Sequence, residues 1–304
     1  MTRAPDPTRR AAFLAAGCAL MLRPARAAAP AVADGPPAAG GTATRIASLG
    51  GAVTEILWDL GAGPRIAVVD TTSTFPAEVL RQKPNAGYLR ALSAEGLLSV
   101  RPDLVIAAEG AGPPAVLALV EEAGVPVRWV REPPSAEGVL DKILAVGRLA
   151  GLAAEAEALR QAVAARFTAL AQARARVERP IGALVVLSLA NGRVMVGGRN
   201  STADGILALA GIRNAADRIE GFKPITDEAI VAAAPNLVVM MASEGSPPTP
   251  EAVFAPGTAL AQSPAAARQA LVTLDGLTLL GFGPRTPEAA DTVMRRAYPD
   301  LRRG

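Results

Sequence analysis

Ser93-Ala-Glu-Gly-Leu-Leu-Ser-Val-Arg-Pro-Asp-Leu-Val-Ile106 and Thr226-Asp-Glu-Ala-Ile-Val-Ala-Ala-Ala-Pro-Asn-Leu-Val-Val239 are one passage written twice, 133 residues apart. Glu95/Glu228, Pro102/Pro235, Leu104/Leu237 and Val105/Val238 are identical, and most other pairs are similar. In the first copy Ser93 to Val100 reads as a short helix stopped by Pro102, with a buried strand after it. A second echo surrounds the first: Ile56-Leu57 with Gly61 matches Ile206-Leu207 with Gly211 at an offset of 150. Repeats in the same order point to two related α/β lobes.

The flanking sequence fits that plan. Arg45 to Leu49 and Arg65 to Val69 are strand candidates. Between them Val53, Ile56, Leu57 and Leu60 recur at helical spacing, and Gly61 ends the run as a helix C-terminus often does. Leu104 to Ala107, Val125 to Val130 and Ala183 to Leu189 are further strands, and Asp204 to Leu209 is a helix ending at Gly211. Strands apolar throughout and alternating with helices predict a parallel sheet covered on both faces. Leu152, Ala156, Leu159, Val163, Phe167 and Leu170 form a single helical stripe, set off by Gly147 and Gly151 before it and stopped by Pro180. About 25 helical residues would span roughly 37 Å. The expected organisation is an N-terminal lobe over 43–152, an interlobe helix over 153–179 and a C-terminal lobe over 180–304.

The start of the chain reads as an address. Arg9-Arg10, an apolar stretch from Ala11 to Leu22, and Ala25-Arg26-Ala27 or Ala27-Ala28-Ala29 form an export signal over residues 1–29. The apolar stretch is shorter than the roughly 20 residues that a spanning helix needs. Thr8 to Leu14 resembles a twin-arginine signal, and an ordinary Sec signal reads equally well. Cys18 weakly resembles a lipoprotein site, but Ala stands three positions before it, so anchoring is the less favoured reading. Residues 30–42, rich in Pro, Ala and Gly, are a flexible linker. The product is expected in the periplasm.

Composition closes several routes. The 304 residues contain no histidine, which excludes Ser-His-Asp and His-ligated schemes drawn from this chain alone. The one cysteine cannot form an internal disulfide. Removing residues 1–29 takes the basic residues from 31 to 26 and the acidic ones from 28 to 27, so the net charge becomes −1 in place of +3. A nearly neutral remainder gives no case for nucleic acid as a partner. An α/β enzyme acting through Asp70, Glu109 or Asp275 lacks any spacing that pairs its carboxylates.

Gly87-Tyr-Leu-Arg-Ala-Leu-Ser-Ala-Glu-Gly96, followed by Arg101-Pro-Asp-Leu-Val-Ile106, resembles the haem-binding substrate-binding proteins of bacterial ABC importers. These sit within the class that also binds cobalamin and ferric siderophores. The resemblance runs over roughly residues 44–300 and includes Gly197 to Asp204, Gly221-Phe-Lys-Pro224 and Gly281 to Arg285. It implies two Rossmann-like lobes joined by a long rigid α-helix, with a ligand cleft between them. It also implies a monomer that captures ferric haem b and passes it to a permease dimer, with cobalamin or a ferric siderophore as the alternative cargo.

Ferric haem takes its axial protein ligand from His, Cys, Met or Tyr. With no His, and Cys18 in the signal, the donors are Tyr88, Tyr298 or a Met. A phenol ionises unaided only near pH 10, so it needs the iron and a nearby cation to bind as phenolate. Arg90 occupies the position where the family places that cation, which makes Tyr88 the expected iron ligand and Tyr298 a packing residue. Some family members offer a His from the second lobe; here Asn191, Arg193 and Met195 occupy that region, so five-coordinate haem is expected. Phe222 is a candidate to stack on the porphyrin, and Lys223, Arg193 and Arg199 to meet its propionates. The family's paired permease-docking glutamates correspond to Glu95 and Glu228.

Overall fold

A computed structural model describes residues 43–190, 193–242 and 247–300. The signal, linker, Cys18 and Asn191 lie outside the described residues. The first half runs β1 (Ile46–Leu49), α1 (Gly51–Asp59), β2 (Ile66–Val69), α2 (Val79–Gln82), β3 (Gly87–Tyr88), β4 (Ala91–Leu92), α3 (Ala94–Ser99), β5 (Leu104–Ala108), α4 (Pro114–Glu122), β6 (Val127–Val130) and α5 (Ala136–Ala150). After α6 (Ala153–Arg174) come β7 (Gly182–Ala190), β8 (Arg193–Gly197), α7 (Thr202–Leu209), β9 (Arg213–Asn214), β10 (Phe222–Ile225), α8 (Asp227–Ala233), β11 (Leu237–Ala242), α9 (Pro250–Val253), α10 (Pro264–Ala267), β12 (Leu271–Asp275), α11 (Gly276–Leu280) and α12 (Thr286–Ala297).

The first sheet is parallel, in the order β2-β1-β5-β6. Side chains alternate along its strands. Ile46, Leu104 and Ile106 face a central core, while Ala47, Leu49, Val105 and Ala107 face an outer cluster with Leu97 of α3 and Leu117 and Val120 of α4. Burial on both faces is why these strands read as unbroken apolar runs.

The second sheet repeats this plan with an addition. Strands β7, β11 and β12 are parallel neighbours, and β9 runs parallel beside the start of β7. The order extends through β8 to β10, and both of these added pairings are antiparallel. Strand periodicity alone did not predict this extension. Only residues 191 and 192 separate β7 from β8, and so short a connection permits a hairpin return but not a parallel crossover.

Helix α6 buries Ala156, Val163, Phe167 and Leu170, four of the six stripe residues. It ends at Arg174, where the Arg176 and Val177 amides bond back to Ala173 and Arg174 and tighten the chain into turns before Pro180. Gly147 does not separate two helices, as its position in the sequence suggested. It lies inside α5, and a Cβ there would overlap that of Ala156, so it is the point of closest approach between α5 and α6. Gly151, at φ +70°, is the residue that ends α5.

One core serves both sheets: Ile46 and Ile106 share it with Val185, Val239, Ile206 and Phe282. Two polar links join the lobes around it. The Arg285 Nε and Nη2 atoms donate to Glu55 Oε1 and Oε2, each at 3.0 Å, and its guanidinium lies 3.8 Å from the centre of the Phe75 ring. The buried Lys142 ammonium donates to Glu132 at 2.7 Å and to the Gly281 carbonyl at 3.3 Å. Burial raises the pKa of the Glu55 carboxyl, opposed by Arg285. Among the described residues no helix is long and apolar enough to cross a membrane.

Candidate functional site

Tyr88 is presented by the β3–β4 hairpin, whose connection is Leu89 and Arg90. The hairpin is fastened to the loops that follow two strands of the parallel sheet. Thr71, just beyond β2, donates to the Gly87 carbonyl at 3.0 Å. Gly112, beyond β5, donates to Leu89 and accepts from Leu92, both at 2.9 Å. Such carboxyl ends of parallel strands are where open α/β sheets receive ligands. Gly87 makes the geometry possible: its φ is +101°, and a Cβ would sit 3.0 Å from the Ala91 carbonyl oxygen.

Leu89 and Leu92 anchor the hairpin in the outer cluster, leaving Tyr88 52% exposed and Arg90 exposed beside it. Among the described residues neither the Tyr88 hydroxyl nor the Arg90 guanidinium has a protein hydrogen-bond partner. Tyr298, the other phenol, is occupied. It donates to the Gly211 carbonyl at 2.7 Å, accepts from the Ile181 amide at 3.1 Å, and has its ionisation pushed up by burial.

In the second lobe the exposed Phe222 begins β10, opposite Gly197 of β8. A Cβ on Gly197 would lie 3.0 Å from Phe222 Cε1, so the ring uses that glycine as its seat. Lys223 pairs with Val196, and strand alternation turns it to the opposite face from Phe222. Arg199 is bonded through its backbone to Ile219 and Gly221, which groups it with this pair. Arg193 begins β8, four residues and roughly 13 Å of strand from Gly197. The structure therefore places Phe222, Lys223 and Arg199 on neighbouring backbone, with Lys223 on the face opposite Phe222, and sets Arg193 apart. Met195 stands opposite Pro224.

Glu95 and Glu228 hold matching places. Ser93 caps α3 by accepting from the Gly96 amide, and Thr226 caps α8 by accepting from the Ala229 amide. Both carboxylates lie exposed in the first turn of their helices. That of Glu228 is held below the usual range by its own backbone N–H and the Thr226 hydroxyl.

The carboxylates considered for catalysis have other work. Asp70 is buried and accepts from the Gly50 amide at 2.7 Å, the Thr72 amide and hydroxyl, and the Ser73 hydroxyl. Asp275 caps α11, and Glu109 accepts a long bond from the Glu132 amide. The interlobe pair Glu55–Arg285 was not among the residues expected from sequence. Its only local signal was one carboxylate, Glu55, in a run of buried residues from Gly51 to Leu57. Among the described residues no group of three or more His, Cys, Asp or Glu side chains is placed to hold a metal.

The sequence model of a periplasmic binding protein family matches residues 46–277. The chain belongs to this family. Among solved structures, the binding protein is similar to the periplasmic heme-binding protein RhuT from Roseiflexus sp. RS-1 in apo form, with 36% identity and a TM-score of 0.79, covering 85% of this chain and 99% of that one. A periplasmic heme-binding protein from Pseudomonas aeruginosa gives 34% and 0.78, covering 86% and 94%. A cobalamin-binding protein of Halobacterium salinarum is 26% identical over 251 residues, 80% of this chain and 66% of that protein. The binding protein spans 62% to 66% of the length of the curated relatives that it matches over most of its own length. Its homologues are solute-binding proteins, not enzymes. The two-lobed α/β plan read from the repeats is the fold of these neighbours.

Proposed function

We propose that this protein captures ferric haem b after export to the periplasm and delivers it to an ABC importer. The observation that carries the reading is Tyr88: an exposed phenol on an anchored hairpin, next to an Arg90 whose guanidinium has no partner among the described residues, in a chain without histidine. Iron displaces the phenol proton, and the guanidinium stabilises the resulting anion by a charge-assisted hydrogen bond. With Tyr88 as axial ligand, Arg90 tunes the phenolate and Phe222 stacks on the macrocycle. Arg199, Lys223 and Arg193 are the candidates to meet its propionates, Arg193 from the far end of β8. The similarity to heme-binding proteins at 34% to 36% identity supports haem as cargo.

Glu95 and Glu228, one exposed on a capped helix of each lobe, dock the loaded monomer on the two halves of the permease dimer. The family match supports an exported carrier. The continuous core and the two interlobe links support delivery without wide opening of the lobes.

Cobalamin is the second reading, favoured by the resemblance to the halobacterial cobalamin-binding protein; a ferric siderophore is a third on the same scaffold. Parallel titrations of the full chain with ferric haem, cobalamin and a ferric siderophore decide among them. Haem is expected to saturate the protein at low concentration, with a tyrosinate-to-iron absorption band that Tyr88→Phe removes. Saturation by cobalamin or the siderophore with no uptake of haem contradicts the proposal.

A further inference from the structure

Nine aromatic rings lie among the described residues, and two of them, Tyr88 and Phe222, are exposed. The internal repeat relates these two. Arg90 and Lys223 share the offset of 133 that aligns the capped helices, and Gly87-Tyr88 aligns with Gly221-Phe222 once one residue is dropped. Structure agrees with this alignment at each step. Both rings follow a glycine at positive φ, +101° at Gly87 and +67° at Gly221. Each follows the border of a main sheet: Asn85, three residues before Tyr88, bridges to Val69 of the edge strand β2, and Phe222 begins the edge strand β10. Both lead directly into the Ser- or Thr-capped helix that carries Glu95 or Glu228.

We infer that Phe222 is the second lobe's counterpart of Tyr88, the ring that meets the opposite face of the bound porphyrin and, lacking a hydroxyl, withholds a second protein ligand from the iron. This rests on the haem reading and gives the expected five-coordinate iron a cause in the second lobe. An apolar ring held on the Gly197 seat contributes stacking and excludes water from that face. The dropped residue has a consequence for the cation as well. Tyr88 and Arg90 are two positions apart, whereas Phe222 and Lys223 are adjacent on a strand and point to opposite faces. The second lobe therefore offers no phenol at this position and turns Lys223 away from the ring, so the two repeat-related positions are chemically unlike.

The experiment moves the ligand from one lobe to the other. Ferric haem is added to the full chain and to Tyr88→Phe, Phe222→Ala and Tyr88→Phe/Phe222→Tyr, and absorption spectra and affinities are recorded, with thermal melts to check folding. Phe222→Tyr adds one oxygen to a ring that already reaches solvent, so its seat is kept. Phe222→Ala is expected to bind haem about tenfold more weakly while keeping the tyrosinate band. Tyr88→Phe is expected to lose the band, and the double variant to regain it with weaker binding than the wild type. Unchanged affinity in Phe222→Ala overturns the inference, and so does a folded double variant without the band. A wild-type protein with no Tyr88-dependent band removes the haem-ligand reading itself, and this inference with it.

Discussion

Arg285→Ala tests how far one buried ion pair between the lobes stabilises the protein. Glu55, whose side chain is 2% exposed, receives two hydrogen bonds of 3.0 Å from Arg285. Removing the guanidinium strands a carboxylate in the core, which typically costs about 3–5 kcal/mol. At roughly 2–4 °C per kcal/mol for a chain of this size, a loss of about 3 kcal/mol lowers the melting midpoint by about 6–12 °C at pH 7. The loss depends on pH in a definite direction. Burial already raises the Glu55 pKa, and without Arg285 the opposing influence is gone. The folded variant then binds a proton more readily than the unfolded chain, so its stability falls as pH rises through the folded pKa. Acidification towards pH 5 therefore shrinks the penalty. Glu55→Gln/Arg285→Ala, with no buried charge, is expected to recover most of the loss. Circular dichroism melts of the three proteins at pH 5 and pH 7 measure this. A midpoint within about 2 °C of wild type for Arg285→Ala at pH 7, or a penalty equal at both pH values, refutes the reasoning.

Tyr298→Phe removes the bonds to Gly211 and Ile181 and is expected to cost about 1–2 kcal/mol in urea unfolding, with the haem spectrum unchanged. Arg90→Leu is expected to weaken haem binding by roughly tenfold to a hundredfold in a spectroscopic titration, the value of a hydrogen bond to a charged group. Glu95→Ala and Glu228→Ala, both on exposed positions, are expected to leave stability within about 0.5 kcal/mol and haem affinity unchanged. The same pair should depress haem uptake into vesicles carrying the importer; full uptake by the double variant removes their docking role.

The parallel part of the fold was legible because its strands are buried on both faces and its helices end at Gly61, Gly211 and Pro102, each with a local physical reason. The repeat alone puts Glu95 and Glu228 on equivalent helices, as the structure does. Strands β8 and β10 were not legible. Arg193 to Gly197 grades from exposed to buried, and Phe222 to Ile225, on the edge strand, holds no buried residue, so neither shows a clean alternation. Gly147 was misread because a glycine within a helix and one between helices look alike in sequence; only the position of Ala156 tells them apart. The Glu55–Arg285 pair joins residues 230 positions apart, and no local pattern encodes so distant a partner. Of the proposed site, Tyr88 and Arg90 are the candidates that local sequence alone can name. The anchoring of their hairpin by Thr71 and Gly112, and the opposed faces of Phe222 and Lys223, required the fold.

The central claim is that the Tyr88 phenolate holds ferric haem iron. Resonance Raman spectroscopy of the haem-loaded full chain, excited within the tyrosinate-to-iron band, tests it most directly. Iron-bound phenolate vibrations are expected in the wild type and in Tyr298→Phe, and their loss in Tyr88→Phe. Phenolate vibrations that persist in Tyr88→Phe, or are absent from the haem-loaded wild type, contradict it.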